Sequence, residues 1–543
     1  MDRQQQGAEA WFQRWYPVAY LQDLDPARPT AFTLLGQDLV LWFDRQGGRW
    51  RAFADVCPHR LVPLSEGRLN AAGELECPYH GWSFNGAGHC SAIPQAEPGV
   101  TPSAKRSRCR SFATAAAQGL LFVFAGEPDQ ADHQRLPLVP VLQEPGFGDP
   151  GVQGGRLQEP GSPSPSQPPA GSKPKSKPKL KSRSKRGARV APRAWALAAA
   201  DPQTRPEPAS NHEAANNEAA NHQAPSDPAA TGAQSAARTG RWTVQDTFRD
   251  LPMDALTVLE NVLDPSHVPF THHASVGRRE TAGPVHLELT SFGPEGFTGL
   301  WAEGPRRGKL GAQQTVFQPP CLMWHDLTAK GFARILTVVY ATPMRRGECR
   351  LFARFPFQFE SPLPGRLLGL RPQWLQHLAN HTVLEDDQIF LHWQERALEG
   401  RGGSAALSRS CFLATGADLY VKALHDWLNR YAGLPFPGQS LPARLDRRPL
   451  LDRYDSHTRH CRSCRGALRR LRRLQLGCGL AVLLALGAAA WLGASAGAAV
   501  CLALAALATG LGLRARAWIA ALHQGNGQPP RNRLARGWGL QAP

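Results

Sequence analysis

The chain has 543 residues, 42% of them hydrophobic and 20% charged, which suits a globular protein with more than one core. Its net charge of +18 comes largely from residues 173–193 and 459–473, which hold ten and seven basic residues and no acid. The remainder is close to neutral, which excludes a basic folded surface for reading nucleic acid. Eleven cysteines are too few for a disulfide scaffold, so reduced, metal-binding thiols in a cytosolic setting are expected.

The start, MDRQQQGAEAWFQRWYP, places no apolar run behind a basic stretch and has no Arg/Ser-rich transit character. The catalytic part is therefore expected to stay in the compartment where it is made. From Trp11 to Phe124, short apolar runs at Phe32, Leu39–Phe43, Trp50–Phe53 and Leu120–Phe124 alternate with Gly, Asp and Pro turns. This pattern predicts a small antiparallel β domain over 11–145. Residues 146–240 change to PGSPSPSQPP, a Lys-rich run and a polar self-repeat containing His212 and His222. Too little apolar area is present there to offset ordering entropy, which predicts a disordered insert rather than a metal tract.

Order is expected to resume near Trp242, with a helical stretch through Leu251–Val262 and a Pro-interrupted segment to His273. Strands are predicted at His286–Phe292, Gly299–Trp301, Thr315–Phe317, Ile335–Tyr340 and Leu351–Phe357, then one long helix at Trp374–Leu398. Strands followed by a long helix predict an α+β catalytic domain over 241–450, the helix laid over an antiparallel sheet. A basic linker at 451–473 leads to Leu474–Leu513, forty residues without an Asp, Glu, Lys, Arg or His. One helix of that length would measure ~60 Å against a hydrocarbon core of ~30 Å, so two spans are predicted, turning at Gly493–Gly497. A buried soluble hairpin is the alternative. Arg469, Arg470, Arg472 and Arg473 before the run and Arg514 and Arg516 after it favour spans whose ends, with the catalytic domains, face the cytoplasm. Gly477, Gly479, Gly487 and Gly497 would let the helices pack closely, and 514–543 would form a tail.

Two constellations carry chemistry. Cys57-Pro-His59 and Cys77-Pro-Tyr-His80 each bring one thiolate and one imidazole. Zinc fingers group their cysteines and histidines separately. One of each per arm suits a [2Fe–2S] cluster with two cysteines on one iron and two histidines on the other. The second is Glu260-Asn-Val-Leu-Asp264-Pro-Ser-His267-Val-Pro-Phe-Thr-His272. Five residues on a regular helix would turn the two histidines about 140° apart, so a helix break at Pro269 is expected to bring both to one metal. A carboxylate would complete a facial triad for non-haem Fe(II). Asp387 is the first choice because Val383, Leu384, Phe390 and Leu391 make its helical face apolar; Asp386 is the reserve and Glu385 is less favoured.

Cys57-Pro-His-Arg60 and Cys77-Pro-Tyr-His-Gly-Trp82, with Asn261, Asp264, His267 and His272, resemble the Rieske non-haem iron oxygenases. Trp15-Tyr-Pro-Val18, Cys57–Arg68, Ile93-Pro-Gln95 and Asp452–Cys464 followed by paired spans look like the pheophorbide a oxygenase branch. The resemblance covers roughly 11–145 and 241–520. It implies a helix-grip catalytic fold, a [2Fe–2S] cluster, mononuclear iron, O₂, and ferredoxin as electron donor to a membrane-attached monooxygenase of a chlorophyll-derived tetrapyrrole. It also implies a homo-oligomer, commonly a trimer, in which Asp264 links the neighbouring subunit's cluster to an iron-binding histidine. The long insert and the start of the chain depart from the plant proteins and suggest a cyanobacterial-type relative in a thylakoid or plasma membrane.

Cys461-x-x-Cys464 would by resemblance form a redox pair, with the surrounding arginines lowering the thiol pKa. A half-zinc site with His457 or His460, or incidental thiols, are the alternatives. Other readings of the whole chain are a non-catalytic electron carrier or translocon-type sensor, and a hydroxylase of sterols, carotenoids or quaternary amines.

Overall fold

Alternation along one long strand sets the architecture. In the computed structural model, which describes residues 10–97, 104–143, 242–329 and 332–526, β17 (Phe332–Arg345) sends Leu336, Val338 and Tyr340 into one core and Val339 and Ala341 into another. Side chains two apart share a face, so this sheet is buried on both sides. Its neighbours repeat the division: Phe352 joins the first core and Leu351 and Ala353 the second.

Among the described residues the sheet has seven strands, antiparallel throughout, in the order β12-β18-β17-β16-β15-β14-β13. These are β12 (Trp242–Leu251), β13 (Glu288–Gly293), β14 (Gly296–Trp301), β15 (Gln313–Gln318), β16 (Leu322–Ala329), β17 and β18 (Glu348–Phe359). Helices α1 (Ala255–Leu263) and α2 (Val268–Thr271) lie between β12 and β13, and α3 (Pro362–Leu370), α4 (Gln373–Glu399) and α5 (Leu419–Trp427) follow β18. The second core joins the sheet to α1 and α5 through Leu259, Leu263, Phe317, Met323, Tyr420, Leu424 and Trp427.

The sheet's other face carries the N-terminal domain, which among the described residues has eleven strands in three small sheets. Strands β1 (Trp15–Tyr20), β11 (Leu120–Phe124) and β10 (Thr114–Ala117) form one; β2 (Thr30–Leu34), β3 (Gln37–Asp44), β4 (Arg49–Ala54) and β9 (Ser111–Phe112) the next. The third is β5 (Arg68–Leu69), β6 (Leu75–Glu76), β7 (Ser83–Phe84) and β8 (Cys90–Ala92). The domain is fastened to the large sheet by Thr342 Oγ1 donating to the Pro17 carbonyl at 2.7 Å and Tyr340 OH to the Pro137 carbonyl at 2.8 Å.

The expected α+β architecture is borne out, with differences of detail. Residues 242–251, expected to lead into a helix, form β12, and the helix begins only at Ala255. β12 hides its strand character because several inward positions are ionic: Asp246 pairs with Arg354, Asp250 with Arg350 and Arg249 with Glu385. β16 was not expected at all. The basic linker and the start of the tail are helical, since α6 runs Arg462–Leu492 and α7 runs Ala496–His523.

The turn between them falls where expected: Gly493 takes φ +59° and the Ser495 side chain accepts from the Ala498 N–H. The expected glycine packing is found only at Gly497, where a Cβ would lie against Leu492 of α6. A Cβ on Gly477, Gly479 or Gly487 would meet nothing, whereas one on Gly512 would lie against Cys478, and Cys478, Ala489, Ala498 and Ala505 are the buried positions. Small alanines rather than those glycines line the seam. The predicted insert, with His212 and His222, and the end of the tail lie outside the described residues.

Candidate metal centres

Two loops of one design hold Cys57, His59, Cys77 and His80. In the first, the Cys57 N–H donates to the Val62 carbonyl at 2.9 Å and the Leu61 N–H to Cys57 at 2.9 Å. In the second, Cys77 donates to Trp82 at 2.8 Å and Gly81 to Cys77 at 3.2 Å. Each turn needs a left-handed residue at its fifth position: Gly81 supplies φ +71°, but Leu61 adopts φ +58° at the cost of a Cβ clash. The cysteines point inward, in a core with Trp42, Phe53, Leu64, Leu75 and Phe84. The histidines lie outward, their ring centroids 4.6 Å apart, with His59 stacked on Trp82 at 4.6 Å. Burial, helped by neighbouring Cys77, pushes the Cys57 thiol up to about 11. Buried sulfurs behind exposed imidazoles suit a two-iron cluster whose histidine end faces outward, and Leu61 and Tyr79 expose apolar surface beside it.

His267, His272 and Asp387 come together with ligand atoms all within 4.8 Å of one another. The chain break differs from expectation. α1 ends at Leu263, Asp264 follows it in extended conformation, and Pro265 comes next. His267 and His272 flank the single turn α2, with Pro269 in its first turn rather than at a break. Proline is tolerated there because its missing N–H would have had no helical partner. The two rings then stand 5.2 Å apart, nearly perpendicular. Asp264 therefore does not share a helix with His267. Its carbonyl accepts the His267 Nδ1–H at 2.6 Å, leaving Nε2 for a metal. Its carboxylate accepts from the Ser266 N–H and hydroxyl at 2.7 and 2.6 Å. Asn261 contributes a backbone carbonyl to the Asp264 N–H at 3.3 Å.

Asp387 Oδ2 lies 3.2 Å from His272 Nε2, and Asp386 Oδ2 lies 3.7 Å from Nδ1 of the same ring. Burial opposes charge on His272, but the two carboxylates outweigh it and raise the imidazole to about 9. Asp387 does not lie on the apolar helical face expected of it. Its helix buries a polar stripe including His377, His381, Glu385, Asp386, Asp387, Gln388, His392 and Glu395, while Phe390 is exposed. What singles out Asp387 is that Oδ1 is buried without a hydrogen-bond partner. An orphaned carboxylate oxygen beside two imidazoles fits a cation. Glu385 is engaged elsewhere, with Arg249 at 2.7 Å and Arg453 at 2.6 Å.

Sequence reasoning missed three supports. His325 on β16 reaches the Val262 carbonyl through Nε2 at 3.1 Å and Thr315 through Nδ1 at 2.9 Å, which holds the end of α1. Burial lowers its pKa to about 4, so it stays neutral beside the site. Glu395 accepts from the Asp254 N–H at 2.7 Å and Thr257 Oγ1 at 3.1 Å, and His425 meets Glu260 at 2.9 Å. The unpredicted β16 concealed His325, and the other pairs join residues more than 100 apart with no local spacing to betray them.

Cys461 and Cys464 are both buried. The expected lowering of a thiol pKa is reversed at Cys461, which Cys464 and burial push upward. His457 joins the pair, whereas His460 does not, and an unexpected fourth residue, His377 of α4, completes the group.

The Rieske [2Fe-2S] domain family model matches residues 14–113 and the pheophorbide a oxygenase model residues 317–405. Pheophorbide a oxygenase of Arabidopsis thaliana is 32% identical over 491 residues, covering 84% of this chain and 72% of that protein. Flavonoid 8-hydroxylase 2 of Ocimum basilicum is 27% identical over 482 residues, covering 82% and 72%. A crystal structure of dicamba monooxygenase bound to dicamba aligns with 77% of this chain and 96% of its own, at 16% identity and TM-score 0.47. Identity of this depth along both metal-binding halves settles the family: the chain belongs to the pheophorbide a oxygenase branch of the Rieske non-haem iron oxygenases, enzymes that work with a [2Fe–2S] cluster and one mononuclear iron.

Proposed function

We propose that this oxygenase is a membrane-anchored, ferredoxin-dependent monooxygenase that inserts one atom of O₂ into a chlorophyll-derived tetrapyrrole. The single observation that carries an oxygenase over a bare electron carrier is the second metal centre, His267, His272 and the orphaned Asp387 oxygen. Cys57, His59, Cys77 and His80 would hold the cluster, which supplies single electrons; the mononuclear iron supplies O₂ activation. The chain's own part is to fix the ligands. The Asp264 carbonyl sets the His267 tautomer, and Asp386 and Asp387 flank the two edges of His272.

The tetrapyrrole reading rests on the 32% identity to plant pheophorbide a oxygenases. The 27% identity to a flavonoid hydroxylase makes other apolar aromatic substrates the competing outcome. Exposed Leu61 and Tyr79 beside the cluster loops, and exposed Phe270 and Val276 beside the iron site, support a homo-oligomer in which cluster end and iron site of adjacent copies meet. Among the described residues, two helices long and apolar enough to cross a membrane support anchoring, with the catalytic domains on the cytoplasmic side by their basic flanks.

The test is to incubate the full-length protein with ferredoxin, its reductase, ¹⁸O₂ and a panel of tetrapyrroles and flavonoids. A tetrapyrrole product carrying one labelled oxygen atom is expected. Labelled flavonoid alone overturns the substrate. No labelled product, from protein with iron only in its cluster, overturns the oxygenase in favour of the carrier.

A further inference from the structure

His377, His457, Cys461 and Cys464 come from three segments: the first half of α4, the turn at 454–458, and the approach to α6 with its first turn. All four are buried, and their ligand atoms lie within 4.8 Å of one another. His377 Nδ1 is 3.0 Å from His457 Nε2, 3.5 Å from Cys461 Sγ and 3.4 Å from Cys464 Sγ; Cys464 Sγ is 3.4 Å from His457 Nε2. A tetrahedral ion with sulfur at about 2.3 Å and nitrogen at about 2.0–2.1 Å has S···N edges of about 3.6 Å and N···N edges of about 3.3 Å. Four of the six edges therefore lie within about 0.3 Å of that geometry, and the other two are no longer than 4.8 Å.

A second observation fixes one of the donor atoms. His457 Nδ1 donates to the Phe248 carbonyl of β12 at 2.7 Å, so its hydrogen is on that side and the Nε2 lone pair faces the other three groups. A backbone carbonyl holding the far nitrogen is the usual support of a metal-binding imidazole. Hydrogen bonding alone would leave the two thiol hydrogens, and at most one on His377 Nδ1, to serve four buried, converging contacts. A dication removes that conflict, and two thiolates make the whole site neutral, which lowers the cost of burying it.

We propose that these four residues form a structural zinc site, distinct from both iron centres and independent of the oxygenase reading. Binding is coordination without redox change: Zn²⁺ replaces the two thiol protons, which leave to solvent, and takes one lone pair from each imidazole. Zinc suits a closed Cys₂His₂ tetrahedron with no open position. The site would clamp the start of the apolar hairpin onto the helix that presents Asp387, ten residues and about 15 Å beyond His377.

The full-length protein, purified without chelators, is expected to hold one zinc per chain beyond its iron. Zinc-edge X-ray absorption should show two sulfurs at about 2.3 Å and two nitrogens at about 2.0 Å. Cys464→Ser should lower zinc at least tenfold while the cluster's paramagnetic signal persists; Cys411→Ser, at an exposed cysteine, should leave it unchanged. Should Cys464→Ser not fold, the wild-type absorption spectrum decides alone. Absence of zinc, a shell without sulfur, iron in its place, or a Cys461–Cys464 disulfide in the native protein overturns the proposal. A missing mononuclear iron with zinc intact would instead count against the oxygenase.

Discussion

His272 Nε2 lies 3.2 Å from Asp387 Oδ2. Asp386 stands 3.7 Å from the other nitrogen of that ring, so adjacent carboxylates on one helix flank both edges of one imidazole. With Nε2 given to a metal, Nδ1 keeps its hydrogen on the side of Asp386, whose carboxylate lies beyond hydrogen-bond distance and acts on the ring through its charge. The two carboxylates therefore separate into ligand and positioning residue. Asp387→Ala should empty the mononuclear site, taking iron from about three to about two per chain and abolishing oxygenation while the cluster spectrum persists. Asp386→Asn should keep the iron but loosen it about 10–100-fold. Iron analysis with chelator competition measures both, and equal losses would remove the distinction.

Asp264 holds His267 by its backbone and keeps a carboxylate, about a quarter exposed, 3.9 Å from the ring. Asp264→Asn preserves the carbonyl that fixes the tautomer and removes only the charge. Both metal centres should fill, and dithionite should reduce the cluster normally, yet O₂ and substrate should no longer reoxidise it. Rapid mixing followed at the cluster's visible bands reads this directly. Undiminished reoxidation would take Asp264 off the electron route.

Glu385 is buried between the guanidiniums of Arg249 and Arg453. Burial alone would raise its pKa, but the two arginines outweigh that and hold it below the usual carboxylate range. A folded-state pKa below the unfolded value of about 4.3 adds stability above that pH, which is lost as pH falls through the folded value. Thermal melts from pH 7 to 3 should show this acid limb. Glu385→Gln leaves two buried cations without their partner, so it should cost about 3–5 kcal/mol at pH 7. Its acid limb should be shallower by about one proton, and an unchanged limb would exclude Glu385 as its source.

The paired Cys-His loops were legible because each compresses its chemistry into at most four residues, and the loop hydrogen bonds are equally local. His267 and His272 were legible for the same reason, although the backbone device was not: the chain turns at Asp264-Pro265, and Pro269 starts a turn instead of ending one. α4 was readable by length but not by pattern, since it buries histidines and carboxylates where a helix ordinarily buries leucine. β12 escaped for the same cause, its inward positions filled by ions whose partners lie 100 or more residues away. Ionic cores leave no hydrophobic period to read. His377 could not be linked to Cys461 and Cys464, because only the tertiary fold brings α4 to the base of the hairpin.

The hairpin gives the last test. Leu476 is 76% exposed, Leu483 70%, Trp491 87% and Leu507 70%, on helices whose apolar windows are only 6% and 11% buried. A soluble core would cover such side chains, and a contiguous apolar surface of this kind marks a lipid or partner contact. The full-length protein should therefore remain in the membrane pellet after alkaline carbonate. The seam suggests where to shorten it: Cys478 of α6 lies against Gly512 of α7, so the helices can be joined just beyond that contact. Replacing residues 481–509 with a short Gly-Ser loop keeps Cys464, Leu468, Leu471, Ala515 and Leu522 in the core they share. The shortened protein should move to the soluble fraction with its iron content and cluster spectrum intact, because no metal ligand is removed. Retention in the pellet would place the anchor elsewhere, and loss of iron would mean that the outer hairpin supports the catalytic fold rather than tethering it.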